Sequence, residues 1–231
     1  ESGLTVSLFF LLSMLVVRFK RFTILVDTNY MRDKLYKWWR NNSIVIPLAL
    51  PSGINKFSSE AIIKPDEKFC LFVGNIKPHK NLNFLIKFWK ENQQKLDLPI
   101  LYIVGSKELR TVFDIGDSSS MQNIVTFKHN CTDEELTILY ESCEFFIFPS
   151  LSEGFGLPIL EAQHFGALLL SSNYSCLPEV AGDGAIYFDP TNYSSLEKAL
   201  QSTRNISFKN QILDNAQRNV LKYSWAKSAK Y

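Results

Sequence analysis

Metal ligands and redox pairs are scarce in this 231-residue chain. It holds three histidines and four cysteines, and Cys70, Cys131, Cys143 and Cys176 make no C-x-x-C pair. A Cys/His zinc site and a disulfide framework therefore both lack support. The thiols are expected to be buried and reduced, as free cysteines in apolar runs such as 68–72 usually are. Hydrophobic residues make up 46% of the chain and charged residues 21%, which excludes collagen-like, coiled-coil and wholly disordered readings. Charge of one sign is also missing, because 25 Lys+Arg against 23 Asp+Glu leave only +2. A general nucleic-acid binder neutralises many phosphates, so no nucleic-acid partner is expected. One local phosphate site is compatible with the same balance. The chain has neither a G-x-x-x-x-G-K-[ST] loop nor a G-x-G-x-x-G turn, which argues against a P-loop enzyme and a nicotinamide cofactor.

Long apolar runs are limited to Leu4–Val17, which Arg18, Lys20 and Arg21 follow. As a helix its 14 residues would rise roughly 21 Å, short of the ~30 Å hydrocarbon core. A signal peptide carries its positive charge before the apolar run, not after it. Two readings stay open: a buried helix of an upstream domain, or a membrane-surface or signal-anchor segment whose basic flank meets anionic lipid. The chain starts at Glu1 rather than at a methionine, so it is expected to be a fragment.

From Phe22 onward, strand and helix patterns alternate. A strand over 23–26, a helix over 29–39 and a strand over 43–48 precede the break Pro51-Ser-Gly53. A polar stretch ending at Lys64–Lys68 is the best linker candidate. Apolar runs then recur at 70–73, 100–104, 124–127, 145–148, 167–170 and 185–188. Between them lie amphipathic helices: one capped by Asn81, one opened by the capping box Thr132–Glu135, and one starting near Leu157 with Pro158 in its first turn. Closing helices are expected over 194–200 and 211–221. Short apolar runs without period-2 alternation, separated by helices, predict a doubly wound parallel sheet over about 57–205. Ligands of such sheets bind beyond the carboxyl ends of the strands.

Two of the loops there carry chemistry. Gly74-Asn-Ile-Lys-Pro-His-Lys-Asn81 joins a glycine to Lys77 and Lys80 just before a helix, a setting that suits an anion. Pro149–Glu161 contains Glu153, Gly154, Phe155, Gly156 and Leu157, then Glu161 within about the first turn of its helix. The glycines let backbone approach a ligand, and the N–H groups of 155–157 can face a phosphate. A carboxylate such as Glu161 can accept from two vicinal hydroxyls of a ribose, and Glu153 can do the same for a sugar.

These residues carry a resemblance. Glu153–Glu161 is similar to the E-x7-E motif of the retaining glycosyltransferases of family 4, which have the GT-B fold. Residues 73–81 resemble that family's first loop of the C-terminal domain, and 178–184 with Phe188-Asp-Pro190 resemble its later donor-side segment. The passage Ile44-Val-Ile-Pro…Ser-Gly-Ile54 resembles the family's V-I-P-N-G-I link between domains. The resemblance implies an α/β, GT-B-type, Rossmann-like architecture with only the end of the N-terminal domain present. Residues 1–56 would hold the apolar segment and terminal elements of a truncated acceptor domain, and 57–231 the donor-binding domain.

The same resemblance implies roles for the residues. Glu161 would bind the nucleotide ribose and Glu153 the transferred sugar, while the backbone of Gly154, Phe155, Gly156 and Leu157 meets sugar and diphosphate. Lys80 would neutralise the diphosphate, so Lys80 and Glu153 are the expected catalytic residues. Gly74 and Asn75 complete the donor site. Many members have Arg where Asn75 stands, and a neutral amide replaces a forked, always-charged contact there. The implied reaction moves a hexose from a nucleoside-diphosphate sugar to a glycan or lipid-linked acceptor with retention. No cofactor or metal is expected, in keeping with the absence of a D-x-D pair. The expected setting is the cytoplasm, with the inner membrane face as its extension. The alternative is a non-catalytic nucleotide-sugar-binding remnant, attached to the membrane through Leu4–Val17.

Overall fold

A computed structural model describes residues 23–51, 65–105 and 124–230. The apolar segment Leu4–Val17 and most of the expected linker lie outside the described residues. The upstream part holds strand β1 (Ile24–Val26), helices α1 (Asn29–Lys34) and α2 (Lys37–Asn41), and strand β2 (Ser43–Val45). β1 and β2 pair in parallel. Two short helices replace the single one expected over 29–39, because Leu35 and Tyr36 are extended (ψ 150° and 147°). α1 buries no residue. Only its first turn is anchored, by the Thr28 cap and by Tyr30 packing against the core, and a helix this short gains little to offset its nucleation cost further on. β2 also ends early, one residue before Ile46 and two before Pro47, which has no N–H for a ladder.

The main sheet contains β3 (Phe69–Val73), β4 (Ile100–Gly105), β5 (Val125–His129), β6 (Phe146–Phe148), β7 (Leu169–Ser172) and β8 (Ile186–Phe188). Its order is β5-β4-β3-β6-β7-β8, and every pairing is parallel. The chain winds outward from β3 through β4 to β5, then returns to the other side of β3 and winds out through β6, β7 and β8. The topological switch point is therefore the β3–β6 border, and ligands of such sheets bind outside the carboxyl ends there.

Helices cover both faces, so the central strands β3, β4 and β6 are apolar on both sides, while the edge strand β5 is half-buried and carries Thr126 and Lys128. Along β3, Cys70 and Phe72 join one core with Leu85 and Trp89 of α3 (Leu82–Leu96). Phe69 and Leu71 join the other, with Tyr140 of α4 (Asp133–Ser142) and Ile159 and Leu160 of α5 (Leu157–Phe165). This alternation across a sheet buried on two sides is why its strands read as unbroken apolar runs. Trp89 is wholly buried, and its indole N–H donates to Pro99 O at 2.9 Å.

The chain closes with α6 (Leu177–Ala181), α7 (Tyr193–Ser202), α8 (Ile206–Val220) and α9 (Trp225–Ser228). Asn192, Asn205 and Ser224 cap the last three with their side chains. The expected capping box at Thr132 and Glu135 is present in full. All four cysteines are free; Cys70 and Cys176 are buried, while Cys131 and Cys143 are half-buried. Among the described residues no helix is long and apolar enough to cross a membrane.

Candidate active site

The loop leaving β3 ends in a 3-10 turn, Pro78–Lys80, and then Asn81 in the left-handed region at φ 59°. Asn81 occupies the position before α3 but does not cap it, contrary to the sequence expectation. Its amide instead donates to Pro149 O at 3.2 Å and Pro190 O at 2.8 Å. In the left-handed conformation the side chain faces the neighbouring loops rather than its own helix. It thereby ties the loops after β3, β6 and β8 together. Leu151 N–H donates to His79 O at 2.7 Å and adds a second tie.

These ties bring Lys80 to Glu153. Lys80 Nζ lies 2.7 Å from Glu153 Oε1, with side chains 15% and 12% exposed, and 5.1 Å from the centroid of the Phe148 ring. A pair so far from water gains little net stability, since desolvation offsets much of the attraction. Two of the expected site residues, from loops on neighbouring strands, are thus joined at the switch point.

The loop after β6 enters α5 through Gly156, whose φ of +95° excludes most side chains and leaves the helix without a side-chain cap. Pro158 has no N–H to offer. The N–H groups of Phe155, Gly156 and Leu157 donate to no acceptor among the described residues. The side chain of Phe155 turns inward against Tyr223, and the residue is buried. Gly154 is different in kind. A Cβ there meets no atom within 4 Å and its φ is not positive, so the fold itself does not demand glycine. Behind the loop, Ser175 Oγ exchanges hydrogen bonds with Glu153 N–H and O, and the Cys176 thiol donates to Glu153 O at 3.2 Å.

Glu161 is the fifth residue of α5, at the start of its second turn rather than inside the first. Its Oε2 accepts from the Tyr140 hydroxyl at 2.9 Å. Burial raises the Glu161 pKa; the Tyr140 bond opposes that rise, and Asp133 adds to it. A carboxyl held above its unfolded value binds its proton more tightly when folded. Its ionisation therefore subtracts stability as pH rises from the unfolded pKa through the folded one. Glu161→Gln, whose amide oxygen still accepts from Tyr140, should raise Tm at pH 7 and change it little at pH 4. Melting curves at the two pH values check this.

Of the remaining expected residues, Gly74 donates its N–H to Val104 O at 3.0 Å as the last rung of the β3–β4 ladder. Asn75 is exposed and its side chain has no partner among the described residues. Tyr140, Ser175 and Cys176 shape the site without any sequence signal for that role, and Asn81, expected only as a helix cap, shapes it too. Tyr140 sits on the apolar stripe of its helix, and only the tertiary contact reveals what its hydroxyl does. Among the described residues no three His, Cys, Asp or Glu side chains gather in a metal-binding group. A groove of about 850 Å³ lies at the opposite, amino-terminal end of the strands, between Lys68, Pro99, Phe145 and Arg204. It shares no residue with this site.

A switch point bearing a lysine–carboxylate pair, a glycine-bearing loop and a helix start whose N–H groups have no acceptor among the described residues suits an anionic, hydroxyl-rich ligand. Residues 54–220 match the family of glycosyl transferases group 1, and the chain belongs to that family. The chain is 34% identical over 171 residues to the serotype-specific mannosyltransferase WbdA of Escherichia coli, covering 71% of this chain and 21% of that protein. It is 30% identical over 203 residues to the O-antigen chain mannosyltransferase RfbU of Salmonella typhimurium, covering 85% and 54%. The chain thus spans about a fifth of the first relative and about half of the second. The sucrose-phosphate synthase structure from Thermosynechococcus elongatus superposes with a TM-score of 0.72 at 20% identity, over 90% of this chain and 56% of that one. The sheet is accordingly of the GT-B, Rossmann-like type expected from sequence.

Proposed function

We propose that this chain carries the donor site of a retaining hexosyltransferase, which moves a mannosyl group from a nucleoside-diphosphate sugar to a glycan or lipid-linked glycan. The observation that carries the proposal is the 2.7 Å Lys80–Glu153 pair at the switch point, beside the unpartnered N–H groups that open α5. The mannosyl assignment rests on the names of WbdA and RfbU. In this reading residues 57–231 form the donor half, and residues 1–56 end the acceptor half.

The difficult step is departure of the diphosphate. As the bond from the anomeric carbon to the phosphate oxygen breaks, negative charge grows on that oxygen. Lys80 and the N–H groups of 155–157 stabilise it, in a geometry already set before the substrate arrives. The acceptor oxygen attacks the same face of the sugar that the phosphate leaves, and its proton passes to the departing phosphate oxygen. Glu153 orients the sugar hydroxyls and forms no bond to the anomeric carbon. Glu161 accepts from the ribose hydroxyls while Tyr140 holds its carboxylate in place.

Titration of the chain with UDP, GDP and ADP by calorimetry tests this reading. At least one nucleotide should bind, and Glu161→Ala and Lys80→Ala should each weaken it about tenfold or more, the loss of hydrogen bonds to charged groups. If none of the three binds, or both variants match the parent, the donor-site assignment fails.

A further inference from the structure

Three consecutive carbonyls in the loop after β6 are tethered by other parts of the chain. Ser175 Oγ and Cys176 Sγ donate to Glu153 O at 3.0 and 3.2 Å. Thr28 Oγ1 donates to Gly154 O at 3.3 Å, and Cys176 Sγ lies 3.5 Å from Phe155 O. No peptide bond among the described residues is cis. In a trans peptide, a carbonyl and the following N–H point in opposite directions from one plane. Each tether therefore aims the next N–H away from itself. Thr28 does this for the Phe155 N–H, Ser175 and Cys176 for the Gly154 N–H, and Cys176 for the Gly156 N–H.

Two of the three tethering residues follow β7, within the donor half. Thr28 lies 126 residues before the glycine it holds, between β1 and α1. It is only 1% exposed. Its oxygen accepts from Met31 N–H at 3.2 Å, which leaves its single proton for Gly154 O. What fixes Thr28 there is Glu179, on α6. Glu179 Oε1 accepts from the backbone and side-chain amides of Asn29 at 2.7 and 2.8 Å, and Oε2 accepts from Tyr30 N–H at 2.8 Å. One carboxylate thus engages three donors immediately after Thr28 and docks the upstream segment onto the donor half.

We infer that Thr28, locked by Glu179, is a positioning residue for diphosphate binding. It sets the plane of the Gly154–Phe155 peptide, so the loop's anion-binding geometry depends on docking of residues that precede the linker. The inference rests on the donor-site reading above and adds a coupling between the two parts of the chain. Undocking the upstream segment would let that peptide turn and lose one preorganised donor.

The test compares the parent with Thr28→Val, Thr28→Ser and Glu179→Gln. Affinity is measured by calorimetry for whichever nucleoside diphosphate the parent binds, and by NMR titration for the corresponding nucleoside, which has no phosphates. Thr28→Val should bind the diphosphate about three- to tenfold more weakly with the nucleoside unchanged, the scale of one lost hydrogen bond. Thr28→Ser keeps the hydroxyl and should stay within about twofold of the parent, and Glu179→Gln should follow Thr28→Val. If the role were only to cap α1, Tm would fall but the ratio of diphosphate to nucleoside affinity would hold, and the inference would be overturned. Should Thr28→Val fail to fold, the exposed Glu179→Gln carries the same comparison. A parent that binds no nucleotide sinks the donor-site reading and this inference with it, whereas equal binding by parent and variants sinks the inference alone.

Discussion

Lys80→Ala should weaken nucleoside-diphosphate binding by about 10- to 100-fold, the range for one hydrogen bond to a charged group. If it acts on the leaving diphosphate, transfer should fall by about 10²- to 10³-fold, as when an oxyanion donor is removed. The variant has a second effect of separate origin. Glu153, with its side chain 12% exposed, loses its cationic partner. An unpaired carboxylate with so little water around it costs about 1–3 kcal/mol. Lys80→Met combined with Glu153→Gln should recover much of that stability, because two neutral groups replace an orphaned charge, but should not recover binding. Calorimetry and melting curves on the single and double variants separate the two effects. Parent-like nucleotide affinity in Lys80→Ala would remove the lysine from the site.

Two glycines should respond in opposite ways, although both fall in segments that resemble the family's donor side. A Cβ at Gly184 would lie 2.5 Å from Ala216 Cα and 2.6 Å from Gln163 Nε2. The first contact is backbone of α8, which cannot swing aside. Gly184→Ala is therefore expected to cost about 3 kcal/mol, the upper range for overpacking, and to lower Tm by about 6–12 °C. A Cβ at Gly154 meets nothing. Gly154→Ala should leave Tm within about 1–2 °C of the parent, yet weaken diphosphate binding about tenfold if the ligand lies over that backbone. Thermal melting paired with nucleotide titration tests both. A Gly154→Ala protein that binds as the parent does would show that no ligand approaches there.

How far the chain can be read from its residues differs between sheet and site. All six main strands are legible because each contains a short apolar run, and the central ones are buried on both faces. Their ends are less so. The run expected over 167–170 is a strand at 169–172, because Ser171 and Ser172 are buried in the sheet and serine does not advertise a strand. The helices expected from Ser194 and Gln211 start at Tyr193 and Ile206, each behind an asparagine cap that the apolar pattern alone passes over. In the site, Lys80 and Glu153 are legible because they occupy loops at the carboxyl ends of expected strands; that these strands are neighbours emerges only from the fold. The resemblance to family 4 then supplied their roles. Asparagine before an apolar-periodic stretch favours a cap, and the sequence alone assigns Asn81 that role. Its left-handed backbone instead sends the amide across to Pro149 and Pro190. Thr28 holds Gly154 and Glu179 holds Asn29 and Tyr30 across more than a hundred residues of sequence, with no local pattern, so only the folded chain reveals these contacts.

A crystal structure of the chain with its preferred nucleoside diphosphate tests the central claim most directly. The account predicts diphosphate oxygens within hydrogen-bonding distance of Lys80 Nζ and of the N–H groups at residues 155–157, with the ribose hydroxyls on the Glu161 carboxylate. A nucleotide seated instead in the groove by Lys68 and Arg204, at the other end of the strands, would contradict it.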